Sequence, residues 1–515
     1  LPCLRGTEFY RRLRKRRKEY GCTDPGVRGF CAYPWWVDGE ISPYCAAHCV
    51  PSESPERDGN PKRHRKLKNE IREKTKKVMS GFKLLGAMRV IAPSHFSPII
   101  CSTAQRKEFH VAPMRDYTDR HQRHFTRLLT KKAVLWSEME KANAVSNASD
   151  RKLESLLRRG HSDGYEVLQL GGNDPEEVAA ATALALTFGY DSINLNCGCP
   201  AVETGGGDFG ASLMREGGDN AAAVVEAMVR EVGKAANHKQ VPVTIKCRVG
   251  VCETIDDILG ADASAEQVDE VLAEPLRKFI EKCKNAGAES FVIHARQAVM
   301  AGVTPKNNRN VPPLRYELVT EIAKEFRDTC ITLNGGVGSI GESLKIIDST
   351  KELSGIQAGR WPLYKPFDLL DIDEEFYNRT FDADINDSNA LGGLLHSSNA
   401  TDAIEQYVFR YAVRGLDNGE ATVGALARPL LLALSDLDDR VACDDERDNM
   451  SAVVETRDFL LECVGELLDC AHGGSETTDP KRIRKALAKA VGKKVVGKQR
   501  GTRAEAAAST SSGVG

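Results

Sequence analysis

The residues with the clearest chemical potential are Asn194-Leu195-Asn196-Cys197-Gly198-Cys199-Pro200, which follow Tyr190-Asp191-Ser192-Ile193 at what reads as the end of a buried strand. Two asparagine amides can hold a planar heterocycle by its carbonyl oxygens, and Cys199 can deliver a proton beside them. A cysteine there also packs well as a small hydrophobe, so its neighbours must decide. Other short apolar runs end in polar residues of the same kind. One run ends at Ala112-Pro113-Met114-Arg115-Asp116, and another contains Gln169. Lys246 with Arg248 and His294 with Arg296 close two more, and Asn334-Gly335-Gly336 and Gly359-Arg360 close the last pair. Glycine lets backbone N–H groups approach a phosphate, and Arg360 would add a bidentate clamp. Gln169 and Lys246 suit a flavin ring, because a lysine near N1 and O2 stabilises negative charge on the reduced form. FMN fits a single phosphate site. Pyridoxal phosphate is the alternative, with Lys246 as Schiff-base lysine, but the pyridine nitrogen then lacks an obvious acid.

These residues lie far apart in the chain, so regular elements must bring them together. From Phe109 onward short apolar runs alternate with amphipathic stretches, the mark of repeated βα units. The pattern predicts strands over 110–112, 134–138, 166–170, 192–196, 243–248, 290–294, 331–334 and 355–359. It predicts helices between them, among others at 175–188, 220–236, 276–286 and 314–326. Eight such units close a (β/α)8 TIM barrel, whose chemistry sits at the carboxyl ends of the strands. A doubly wound sheet is disfavoured, since no Gly-x-Gly-x-x-Gly follows the first strand. Residues 253–275 read as an acidic insertion ahead of the fifth helix. Beyond Pro366 strands give way to helices at 403–416, 423–435 and 452–468, then a basic helix from Pro480. The expected organisation is an irregular basic extension over 1–105, a barrel over 108–370, a smaller all-helical domain over 385–500 and a low-complexity tail over 501–515.

The formal charge of −2 on 515 residues hides basic runs at 11–18, 62–77 and 481–503, which suit a polyanion such as RNA. Each run separately also reads as a solvated tail. The 15 cysteines are odd in number and scattered, which fits a reducing compartment better than a disulfide framework. Cys22, Cys31, Cys45, His48 and Cys49 match no zinc-ligand spacing closely, and no metal is assigned. No apolar run is long enough to span a bilayer. The expected location is cytoplasmic, or organellar if the arginine-rich start belongs to a transit peptide. Oligomeric state is not legible.

Taken together, these motifs resemble the tRNA-dihydrouridine synthases. The matching residues are Ala112-Pro113-Met114 with Asp116, Thr118 and Asp119, then Leu168-Gln169-Leu170-Gly171, Asn194 through Pro200, Lys246 with Arg248, His294 with Arg296, Asn334-Gly335-Gly336 and Gly359-Arg360. They stand in the family's order over roughly 108–370. Asp116-Tyr117-Thr118-Asp119-Arg120-His121 and the stretch 302–314 look like the bacterial subgroup acting at tRNA positions 20 and 20a. Departures are Ala201 where that subgroup usually has serine, Cys197 for a small apolar residue, a longer insertion after the fifth strand, and a poorly matching helical region after residue 385.

The resemblance implies an FMN enzyme that uses NADPH to reduce a D-loop uridine of tRNA. Hydride would pass from flavin N5 to uracil C6, with Cys199 as the acid that protonates C5. A free cysteine thiol titrates near 8.5 and is mostly protonated at neutral pH. Asn196 would orient the uracil and Asn194 the cofactor side, while Arg296 and Lys306 hold RNA. Ala112, Pro113, Met114, Gln169, Lys246, His294, Asn334, Gly335, Gly336, Gly359 and Arg360 would bind FMN. The rival readings are a flavin barrel acting on a free pyrimidine, as dihydroorotate or dihydropyrimidine dehydrogenases do, and a catalytically inactive RNA-binding barrel.

Overall fold

The computed structural model describes residues 107–160, 163–200, 209–234, 241–257, 264–304, 307–377, 397–442, 450–472 and 480–491. The predicted extension with its cysteines, Lys306 and the tail lie outside the described residues. The strands are β1 (Glu108–Val111), β2 (Val134–Lys141), β3 (Glu166–Gly171), β4 (Ser192–Cys197), β5 (Val243–Arg248), β6 (Ser290–His294), β7 (Cys330–Asn334) and β8 (Gly355–Ala358). All pair in parallel, and β1 closes the barrel by pairing with both β2 and β8. The period-2 pattern decides what each strand presents. In β4 and β5, Ile193, Leu195, Cys197, Ile245 and Cys247 are fully buried between strands and helices. The alternate residues Asn194, Asn196, Thr244, Lys246 and Arg248 lie on the other, inward face of the sheet. Register sets these polar residues in rings, with Gln169 beside Asn194 beside Thr244, and Arg248 beside His294 beside Asn334. An apolar plug of Val134, Trp136, Val167 and Val292 fills the interior.

Helices follow the strands where caps start them. Asp119 accepts from the N–H groups of His121 and Gln122 to begin Arg120–Leu129. Asp174 caps Pro175–Ala185, with proline in the first turn where its missing N–H costs nothing. The predicted acidic insertion is corrected by the structure. A helix runs from Ala265 to Asn285, starting well before the expected 276, with Pro275 inside it. Ser264 and Gln267 form a reciprocal capping box that nucleates this start. Proline denies the carbonyl of Val271 its usual donor, but Val271 is 56% exposed, so water can serve instead. The short strands Val251–Cys252 and Ala298–Val299 pair beyond the ends of β5 and β6 and were not foreseen.

After the barrel come Ser397–Glu405, a π-helical continuation Gln406–Ala412, Val413–Asp417, Val423–Ala442, Met450–His472 and Pro480–Val491. This helical region meets the helix that follows β1. His124 stacks on Tyr411 at 3.8 Å, His121 Nδ1 and Tyr411 Oη are 2.8 Å apart, and Arg428 pairs with Asp119 at 3.1 Å. Among the described residues no helix is long and apolar enough to cross a membrane.

Candidate active site

The mouth at the carboxyl ends of the strands is built on an amide network. Gln169 Nε2 donates to Asn194 Oδ1 at 2.9 Å, and Asn194 Nδ2 donates to Thr244 Oγ1 at 2.9 Å. Asn196 Nδ2 in turn donates to Gln169 Oε1 at 2.8 Å. Each amide is therefore fixed in orientation by the next, and all three are buried. The Oδ1 of Asn196 remains to hold the loop beyond β4. It accepts from the backbone N–H of Gly198 at 3.1 Å and of Cys199 at 2.9 Å. The carbonyl of Cys199 accepts from Ala211 N at 2.9 Å. At Gly210 an added Cβ would lie 2.5 Å from that carbonyl oxygen, and the φ of +73° also favours glycine.

The two cysteines of this loop differ. Cys197 is fully buried on the outward face of β4, and burial with the neighbouring Cys283 and Cys247 pushes its thiol well above the usual range. Cys199 carries a free thiol and is partly exposed at the mouth.

Cations surround this loop. Lys246 Nζ donates to Asn334 Oδ1 at 2.9 Å, and Asn334 Nδ2 donates to the carbonyl of Gln357 at 2.7 Å. Burial, then the charge of Arg248, pulls the Lys246 ammonium down to about 7. His294 is held well below its ordinary value by burial and then by Arg248, Lys246, Arg296 and Arg309, so it is neutral at physiological pH. Arg248 donates to the carbonyls of Gly198, Gln297 and Asn308.

The glycine segments after β7 and β8 let the backbone approach its neighbours closely. Gly335 has φ +114° and Gly336 φ +80°, and a Cβ on Gly335 would lie 2.4 Å from Cδ2 of His294. The backbone after β7 thus lies against the imidazole where no side chain fits. A Cβ on Gly359 would sit 3.3 Å from Met114 Sδ and 3.4 Å from Ala112 Cβ, and Ala112 N donates to Ala358 O at 2.8 Å. The segments after β1 and β8 are therefore side by side. A positive, glycine-lined mouth holding a half-buried Lys246 and a buried Gln169 suits a flavin mononucleotide.

Two predicted residues take unexpected postures. Arg296 turns onto its own loop, with Nη1 donating to the carbonyls of Asn310 and Pro312. Arg360 reaches across to Asn310 Oδ1 at 3.0 Å. Sequence reasoning assigned no role to Thr244, Arg248 or Asn308. The inward alternation Thr244, Lys246, Arg248 was a signal for the first two. Asn308 bridges the N–H and carbonyl of Val299, a contact only the fold creates.

A family profile described as "Dihydrouridine synthase (Dus)" matches residues 110–384. A tRNA-dihydrouridine(20/20a) synthase of Yersinia pestis is 35% identical over 317 residues, 61% of this chain and 80% of the relative. Relatives of the same description from Synechocystis sp. and Xanthomonas campestris pv. campestris are 36% and 38% identical. Each match covers 52% of this chain, and 72% and 71% of those relatives respectively. The matched span contains the carboxyl end of every barrel strand, and on that ground the chain belongs to the dihydrouridine synthase family of enzymes.

Proposed function

We propose that this protein reduces a D-loop uridine of tRNA, at position 20 or 20a, to 5,6-dihydrouridine. The observation that carries the reading is the contrast within the heptapeptide. Cys199 is partly exposed, with its N–H and carbonyl both held, while Cys197 two residues earlier is sealed behind the strand. The relatives' descriptions, with their stated positions, support the substrate and site.

When bound, FMN reduced by NADPH supplies the hydride that C6 of the uracil accepts. Lys246 offers a positive charge to the flavin ring, and the Gly335-Gly336 and Gly359-Arg360 segments with His294 hold its phosphate arm. Ala112, Pro113, Met114, Gln169 and Asn334 line the same side. Asn196 orients the uracil, and Cys199 Sγ–H gives its proton to C5, completing reduction of the C5–C6 double bond. The resulting thiolate takes its next proton from water. Arg296 and Lys306 hold the RNA strand, and the helical region over 385–500 orients the tRNA, with the basic helix Pro480–Val491 as one surface for its phosphates. The target base has to be turned out of the folded RNA, which costs a few kcal/mol that backbone contacts offset.

The test is a purified protein examined for flavin absorbance and assayed with unmodified tRNA and NADPH, with dihydrouridine mapped by position. Cys199→Ala should cut single-turnover product formation by about 10²-fold or more, whereas Cys197→Ala should leave it within a few-fold. Near-normal rates for Cys199→Ala would remove the acid assignment. Turnover of free uracil or dihydroorotate in place of tRNA would favour the small-molecule reading.

A further inference from the structure

Arg248 closes β5 at the mouth and is 4% exposed, yet among the described residues no carboxylate pairs with it. A buried guanidinium is ordinarily matched by an acid, because an unpaired buried charge is costly. Its charged neighbours include Arg309, Arg296 and Lys246, all of the same sign. Its hydrogen bonds go instead to three backbone carbonyls from three segments. Nε donates to Gly198 O at 3.2 Å, and Nη1 to Gln297 O at 3.2 Å and Asn308 O at 3.1 Å. Gly198 immediately precedes Cys199. Gln297 and Asn308 belong to the stretch that runs from β6 along the mouth, which Asn308 pins to Val299. The rigid fork of one arginine thus fixes the distance between the cysteine loop and the segment bordering the substrate entrance. Asn196 holds the same loop from below, through the N–H groups of Gly198 and Cys199.

We infer that Arg248 is a positioning residue for Cys199: by gripping Gly198 O and the 297–308 segment together, it sets the thiol against C5 of the target uracil. The inference rests on the proposed reduction of tRNA uridine. An error of about 1 Å in such a placement costs on the order of 10²-fold in rate.

The test compares wild type, Arg248→Met, Arg248→Lys and Cys199→Ala with the two double variants, each loaded with FMN. Flavin content, flavin reduction by NADPH and tRNA affinity are measured alongside single-turnover dihydrouridine formation. We expect Arg248→Met to lower product formation by about 10²-fold with the NADPH step and tRNA affinity unchanged. Arg248→Lys should recover only part of the rate, because a point charge cannot span the three carbonyls. In the Cys199→Ala background both Arg248 substitutions should cost no more than about twofold, since two residues acting as a unit are not additive. Equal fold losses in the two backgrounds, or a loss that falls wholly on tRNA affinity, would overturn the inference while leaving the reduction itself in place. If Arg248→Met fails to hold flavin, Arg248→Lys alone carries the comparison. A wild-type protein that forms no dihydrouridine removes the underlying reading, and the inference with it.

Discussion

Lys246 gives a prediction whose size follows from its surroundings. Burial and the adjacent Arg248 lower its pKa from 10.5 to about 7. The folded protein therefore disfavours the ammonium, and each tenfold bias against it corresponds to about 1.4 kcal/mol. Below pH 7 the lysine is protonated in both folded and unfolded chains, and the flavin-free protein bears the full destabilisation, roughly 5 kcal/mol at most. Between pH 7 and 10.5 the folded state has released the proton and the unfolded state still holds it. Stability therefore rises with pH through that window. Lys246→Met keeps most of the stem and removes the charge, but strips Asn334 Oδ1 of its donor, a loss of about 1–3 kcal/mol. At pH 6 the flavin-free variant should be more stable than wild type by roughly 2–4 kcal/mol. At pH 9, well above the folded pKa, that advantage should shrink by about 3 kcal/mol. Urea unfolding of both flavin-free proteins at pH 6, 7.5 and 9 measures this directly. A pH-independent difference, or a less stable variant at pH 6, would refute the argument that the mouth holds a desolvated cation. Under the proposed function the same variant should also lose turnover, because it removes the charge that Lys246 would offer to the flavin.

The glycine cradle predicts that Gly335→Ala destabilises the fold by about 2–4 kcal/mol, from the φ of +114° and the contact with His294, and weakens FMN binding. Gly341→Ala, within a helix and with nothing near its added Cβ, should instead stabilise by about 0.5–1 kcal/mol, and thermal unfolding with flavin titration distinguishes the two. Asn196→Ala removes the acceptor of two loop N–H groups and the donor to Gln169, so single-turnover product formation should fall by about 10²-fold while the melting temperature moves by only a few degrees. An unchanged rate for Asn196→Ala would show that the loop holds its shape without that amide.

Much of the barrel is legible along the chain, because period-2 and helical patterns are local. The eight barrel strands form where alternation and β-branched residues predict them, and the polar residues at their ends all face one mouth, as a parallel barrel requires. The motifs also sufficed to name the family, since they are contiguous and ordered along the chain. Where local signals conflicted, reading failed. The acidic composition of 253–275 read as an insertion, and the Ser264–Gln267 capping box with the buried face of Ala265–Asn285 overrode it. Which side chain touches which partner came from the folded chain alone. Gln169, Asn194 and Thr244 become one hydrogen-bonded chain only because strand register sets residues 25 and 50 positions apart side by side. Arg248 meets carbonyls 50, 49 and 60 residues away. Backbone acceptors leave no trace in residue identity, so no inspection of side-chain types could reveal that grip. The heptapeptide offered two cysteines, and the closed barrel determined that Cys199 is the partly exposed one and what holds its loop.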